Sequence, residues 1–125
     1  MRKRRILLVD DEVAITRALA IYLAEQGECE VRIENEGSRA VAAALDFKPD
    51  LILLDIVMPD ADGGAVAAQM KADPVLRRVP IVFLTALVSR QETRSASKTI
   101  GGFPFLAKPV DPDTVLEYID RHVVV

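Results

Sequence analysis

Asp50-Leu51-Ile52-Leu53-Leu54-Asp55-Ile56-Val57-Met58-Pro59 decides the fold. Its Leu51–Leu54 core is continuous aliphatic sequence, which suits a strand covered on both faces, as in a parallel sheet. The run ends on a carboxylate, Asp55, just before a turn. An acid in that place is set up for chemistry. A second stretch has the same form: Ile6-Leu7-Leu8-Val9 runs into Asp10 and Asp11. Two buried strands that each end in acids can build an oxygen-rich pocket. A hard divalent cation and a phosphoryl group both need such a pocket.

Further apolar runs at Val31–Ile33, Ile81–Leu84 and Phe103–Ala107 predict three more strands. The second strand alternates, with Cys29, Val31 and Ile33 apolar and Glu30, Arg32 and Glu34 charged, so it reads as a half-exposed edge. Helical spacing fills the gaps. Ile15, Ala18, Leu19, Tyr22 and Leu23 mark a first helix, Ala40, Val41, Ala44 and Leu45 a second, and Val66 with Met70 a third. Ser89 and Glu92 form a capping-box pair for a fourth. Val115, Ile119 and Val123 mark the last, with Asp111 as N-cap, Pro112 at the first helical position and Val110 stapling onto Val115. Gly27, Gly37, Gly63 and Gly101-Gly102 punctuate the boundaries, Gly63 as a backbone requirement of the turn after Pro59.

Alternating strands and helices predict an α/β fold with a five-stranded parallel sheet between helices. Right-handed crossovers and an edge position for the second strand give the order 2-1-3-4-5. The first and third strands are then central neighbours, and ligands bind in the crevice at their carboxyl ends. Asp10, Asp11 and Asp55 all reach that crevice. So do Thr85, which ends the fourth strand, and Lys108, which follows the fifth. Each group has a task if the reaction is phosphoryl transfer. A carboxylate can act as nucleophile and form an acyl phosphate. A cation can neutralise phosphoryl charge. An ammonium balances the remaining charge, and a hydroxyl donates to one phosphoryl oxygen.

Composition narrows the class. The 125 residues are 50% hydrophobic and 28% charged, enough for one soluble domain with a real core. A net charge of −3 argues against nucleic-acid binding by bulk charge. Arg2-Lys3-Arg4-Arg5 reads as a solvated edge leading into the first strand. A lone Cys29 rules out an internal disulfide and fits a reducing compartment. No apolar run approaches the roughly 18 residues of a membrane span, and the basic N-terminus lacks a signal peptide's apolar stretch. A cytoplasmic protein is expected, with one domain over residues 1–125 and no output domain. Cys29 reads as a small core residue. His122, the only histidine, reads as a solvated helix position, and Arg90, Arg94 and Lys98 as a solvated helix face.

The chain resembles the receiver domain of two-component response regulators over nearly its whole length. The matching pieces are Leu7-Leu8-Val9-Asp10-Asp11-Glu12, Asp50 to Pro59 with Gly63, Phe83-Leu84-Thr85-Ala86, and Phe105-Leu106-Ala107-Lys108-Pro109. Each alone is weak; four in order, each at a strand end, are specific. The resemblance implies a flavodoxin-like (βα)5 sandwich. It implies Asp55 as phosphoacceptor and Mg²⁺ held by Asp10, Asp11, Asp55 and the Val57 carbonyl. Thr85 and Lys108 would bind the phosphoryl group, and Thr85 and Phe105 would act as the switch. The phosphodonor would be a sensor histidine kinase or a histidine phosphotransfer protein. Phosphorylation would shift the face of the fourth helix, fifth strand and fifth helix, in a monomer or a phosphorylation-dependent dimer. Such a chain is a signalling domain that catalyses only its own phosphorylation and dephosphorylation.

The chain also departs from the pattern. Phe105 stands where Tyr is frequent, so switching there runs on packing alone. Phe103-Pro104 and Ala61 replace the usual residue types. Val57 and Leu87, beside the acceptor, are apolar and cannot hold an attacking water, which predicts slow dephosphorylation. Phe105 also reads as plain core, and Asp10 and Asp11 as caps of the first helix. A phosphorylation-independent interaction module is the alternative function. An aspartate-based phosphatase needs a second Asp where Val57 stands. A nucleotide-binding loop needs glycines where Asp10-Asp11-Glu12 stand.

Overall fold

The structure, a computed structural model, describes residues 2–26, 28–86 and 99–123. Gly27, Leu87, the Ser89–Glu92 capping pair, and Arg90, Arg94 and Lys98 lie outside the described residues. Five strands match the expected runs: β1 (Arg4–Val9), β2 (Cys29–Glu34), β3 (Leu51–Asp55), β6 (Ile81–Thr85) and β8 (Phe103–Ala107). They pair in parallel in the order β2-β1-β3-β6-β8, which is 2-1-3-4-5 in the count of predicted strands. Two small features were not expected. β4 (Val57–Met58) and β5 (Ala61–Asp62) form a short hairpin, and β7 (Thr99–Ile100) adds antiparallel to β8 at the far edge.

The helices are α1 (Val13–Gln26), α2 (Ala40–Phe47), α3 (Gly63–Ala72) and α4 (Pro112–His122). The sheet's two faces carry separate cores. Leu7, Val9, Ile52, Leu54, Ile81 and Phe83 pack with α2 and α3. Ile6, Leu8, Leu51, Leu53, Val82 and Leu84 pack with α1 and α4. The aliphatic runs are continuous because alternate side chains point into two interiors. Each fully buried Leu or Ile contributes about 1.5–3 kcal/mol. β2 is the half-exposed edge, and Cys29 is buried there at 2% exposure, as its apolar side of the alternation requires.

Asp111 caps α4 by accepting from the Asp113 N–H, and Pro112 occupies its first turn. Asp62 does the same for α3 through Gly64 N–H. The α4 stripe Val115, Ile119 and Val123 is buried as read from the sequence, with Val110 packed beside it. His122 is exposed and lies over the Tyr118 ring, with centroids 4.1 Å apart.

Four readings need correction. The inner face of α1 is Thr16, Leu19 and Leu23, while Ile15 is 40% exposed and Ala18 is also exposed. Apolar residues surround this helix, so periodicity could not choose the face. Thr16 can turn inward because its hydroxyl donates to the Val13 carbonyl at 3.0 Å and accepts from Asn35. In α2 the large core residue is Phe47, with Leu45 at the surface.

The basic N-terminal run is not simply solvated. Arg2 grips Asp50 with two bonds of 2.8 and 2.7 Å, Arg4 pairs with Asp120, and Arg5 lies 4.5 Å over the Phe47 ring. Gly63 is a backbone requirement, as read, but of a close approach rather than of a turn conformation: it opens α3 against the Asp55–Ile56 backbone. Its N–H donates to the Ile56 carbonyl at 2.8 Å, and a Cβ there would meet the Asp55 carbonyl oxygen at 2.3 Å.

Gly63→Ala should therefore lower the unfolding free energy by about 3 kcal/mol, since backbone must move to admit the methyl. Gly64→Ala meets only an ordinary contact, 3.4 Å to Asp62. Its better helix propensity should leave stability equal or higher by up to about 1 kcal/mol. Urea unfolding of both variants checks the contrast; equal losses would contradict it.

Candidate functional site

The register of the sheet assembles the site. Val9 pairs with Leu54, Asp55 with Leu84, and Thr85 with Ala107. Asp10, Asp55, Thr85 and Lys108 thus emerge together at the carboxyl edge. Backbone bonds beyond the ladder hold this edge: Ile56 N–H donates to the Leu84 carbonyl at 3.2 Å, and Lys108 N–H to the Thr85 carbonyl at 2.8 Å. The Lys108–Pro109 peptide is cis.

Asp10, Asp55 and Thr85 are buried, at 0%, 5% and 1% exposure. Asp11 is the least buried of the three acids. One carboxylate oxygen from each of Asp10, Asp11 and Asp55 lies within 4.8 Å of the others, so the trio could hold a metal ion. The Lys108 ammonium stands among the acids, 2.8 Å from Asp10 Oδ2, 3.1 Å from Glu12 Oε1 and 3.4 Å from Asp55 Oδ2. Asp10 Oδ2 is close enough for an ion pair yet makes no directed hydrogen bond. A buried carboxylate oxygen with lone pairs to spare, among other carboxylates, fits a hard cation such as Mg²⁺.

Two opposing effects set the charge state of Asp55. Burial and the neighbouring Asp10 push its carboxyl up to about 6, against the pull of Lys108 and the Val57 N–H. That N–H reaches Asp55 Oδ1 at 3.4 Å. Lys108 moves the other way. Burial alone would lower it, but Asp10, Glu12 and the Asp55 charge outweigh burial and raise it, so it stays an ammonium. The site holds a buried carboxylate whose charge is only partly balanced, a fixed cation and a buried hydroxyl-bearing residue. Such a set can take up a cation and an electrophilic phosphorus group.

Every predicted site residue within the described chain reaches this edge except Phe105. That ring pairs in register with Phe83 and packs half-buried in the core on the α2–α3 side. The Val57 side chain stands at the rim, 61% exposed. Three contributors were missed. Glu12, which the sequence marks only as a third acid of the turn, salt-bridges Lys108. Asn35 and Thr16 support the same turn from behind. A third acid in the turn was the available signal for Glu12; for Asn35, at the end of an edge strand, there was none.

Residues 6–120 match the response regulator receiver domain family. The chain belongs to that family. The receiver is 36% identical to PilH of Pseudomonas aeruginosa over 117 residues, covering 93% of this chain and 94% of PilH. It is 41% identical to the response regulator PleD of Caulobacter vibrioides over 107 residues, covering 86% of this chain and 23% of PleD. The fold superposes on chemotaxis protein CheY4 of Vibrio cholerae with a TM-score of 0.81, at 27% identity over 97% of this chain and 99% of that one. The chain spans about half or less of the length of several curated relatives it matches. Receiver domains of two-component systems work with histidine kinases or phosphotransfer proteins. Among the described residues no helix is long and apolar enough to cross a membrane.

The raised Asp55 carboxyl fixes the sign of a pH effect. A cation held by Asp10, Asp11 and Asp55 would have to displace this proton below about pH 6. Affinity for Mg²⁺ should be about tenfold weaker near pH 5 than near pH 7.5, and Asp55→Asn should bind weakly with a flatter profile. Titration calorimetry at the two pH values reads this directly; an unchanged affinity would contradict the assignment of Asp55 as a ligand.

Proposed function

We propose that this receiver accepts a phosphoryl group on Asp55 from a phosphohistidine of a sensor kinase or phosphotransfer protein. The observation that carries this reading is the placement of Lys108 Nζ 3.4 Å from Asp55 Oδ2, inside a cluster with Asp10 and Asp11. A buried carboxylate beside a fixed ammonium and two further acids is costly unless the charges are used. An Asp55 oxygen attacks phosphorus, the P–N bond breaks, and the freed imidazole nitrogen keeps the electron pair and takes up a proton. Asp10, Asp11, Asp55 and the Val57 carbonyl would hold Mg²⁺, which when bound neutralises charge on the phosphoryl oxygens. Lys108 balances the charge that remains, and the Thr85 hydroxyl donates to one phosphoryl oxygen.

In this reading the chain is a signalling domain, not an enzyme with a separate substrate. It is one receiver over residues 1–125, cytoplasmic, and monomeric or dimeric on phosphorylation. The output runs through the face that includes β8 and α4. Thr85 and Phe105 carry the switch, and Phe105, without a hydroxyl, acts by packing against its neighbours.

Intact mass after incubation with acetyl phosphate and Mg²⁺ should show one added phosphoryl group. Asp55→Asn, or omission of Mg²⁺, should abolish it. A folded, Mg²⁺-binding chain that gains nothing from either acetyl phosphate or a phosphohistidine donor would overturn the proposal. The lifetime of the phosphorylated form provides a second test. The exposed Val57 side chain offers no hydrogen bond to orient an attacking water, and Leu87 is apolar too. Dephosphorylation should be slow, and Val57→Asn or Leu87→Glu should speed it by about tenfold, roughly 1.4 kcal/mol in the barrier. An unchanged lifetime in both variants would sink the water-positioning idea.

A further inference from the structure

We propose that Asn35 is a positioning residue for the acidic turn of the site, holding Asp10, Asp11 and Glu12 in the geometry that takes a divalent cation. This rests on the metal reading above and adds a residue to it. Asn35 follows β2, the half-exposed edge strand, and bonds the acidic turn from outside the Lys108–Asp55 cluster. Its side-chain amide donates to the Asp10 carbonyl at 2.7 Å and to Thr16 Oγ at 3.1 Å. The Asp10 carbonyl can only accept, so the amide must face it with its nitrogen. One NH₂ group therefore ties the first residue of the turn to the first turn of α1.

The turn has other restraints: the Thr16 N–H donates to the Glu12 carbonyl at 3.1 Å, and Lys108 pairs with Asp10 and Glu12. The Asp10 N–H donates to the Glu34 carbonyl at 3.2 Å, and the Glu12 N–H to Asp10 Oδ1 at 3.0 Å. The second of these uses the carboxylate that must also serve the cation. Without Asn35, the buried Asp10 carbonyl and Thr16 hydroxyl each lose a donor, and the side-chain restraints that remain on the turn run through the Asp10 and Glu12 carboxylates. The three acids repel one another, so a loosened turn would relax by spreading them. Outer partners of this kind set the orientation of metal ligands, and their loss weakens metal binding by about 10- to 100-fold.

The test compares Asn35→Ala and Asn35→Asp with Arg32→Ala. Arg32 lies on β2, three residues before Asn35, and pairs with Asp46 at the surface. Mg²⁺ affinity is measured by calorimetry at neutral pH, beside urea unfolding and amide hydrogen exchange of residues 10–12 without Mg²⁺. Asn35→Ala should weaken Mg²⁺ binding by about tenfold and speed exchange of those amides. Asn35→Asp should weaken it at least as much, since it sets a carboxylate against the Asp10 carbonyl. Arg32→Ala should change neither. Parental affinity in both Asn35 variants would overturn the proposal. So would a loss shared by Arg32→Ala in proportion to stability, which would mark a purely structural role. Failure of the parent chain to bind Mg²⁺ would instead overturn the metal reading, and this role with it.

Discussion

Lys108 is the constraint on which the site depends. Asp10, Asp55 and Glu12 each come within ion-pair distance of its one ammonium. Three carboxylates that close would otherwise repel, and two of them are almost fully buried. The ammonium lets them share a crevice but cannot balance them all. What remains is a standing excess of negative charge, directed at whatever cation or electrophile arrives. Lys108 is itself positioned by backbone, through its N–H to the Thr85 carbonyl. The electrostatics of the crevice therefore rest on the β6–β8 pairing as much as on any side chain.

That pairing works because the sheet is buried on both faces. Shifting a strand by one residue would send every side chain into the opposite core. The α2–α3 core holds Ile52, Leu54 and Phe83, and the α1–α4 core holds Leu53, Val82 and Leu84. Both fix the register that brings Asp55 level with Leu84 and leaves Thr85 level with Ala107. Gly63 extends the same logic. Only a residue without Cβ lets α3 start against the Asp55–Ile56 backbone, so the helix after Asp55 packs directly onto the strand that carries it.

Much of this was legible in the sequence because strand burial leaves a plain mark. Continuous Ile/Leu/Val runs gave the strands, the alternation of Cys29 to Glu34 gave the edge, and the acids at the run ends gave the crevice. The inner face of α1 was only partly legible: Leu19 and Leu23 are buried as read, but Val13, Ile15 and Ile21 are as apolar and yet exposed. What turns the helix is a hydroxyl, Thr16, whose partner Asn35 lies across the chain. Arg4 and Arg5 misled for a related reason. Their charge reads as solvated, while the Arg4 guanidinium pairs with Asp120 and the Arg5 guanidinium lies over the Phe47 ring. Pairings that depend on distant residues leave no local pattern.

The same crevice is a liability to the fold until it is filled. The Asp55 carboxyl stands at about 6 in the folded chain and near 3.8 when free of it. Between those values the folded state holds more proton than the unfolded one, so stability falls as pH rises through the window. Above about pH 6 the full penalty is present, at most about 3 kcal/mol for the uncomplexed chain. It vanishes below about pH 4, where both states are protonated. A cation held by the three acids would offset this cost above pH 6, where Asp55 is charged. The penalty and the capacity to bind have one origin, the burial of Asp55 beside Asp10. Relieving it by substitution would remove the excess negative charge that equips the crevice to take up a cation.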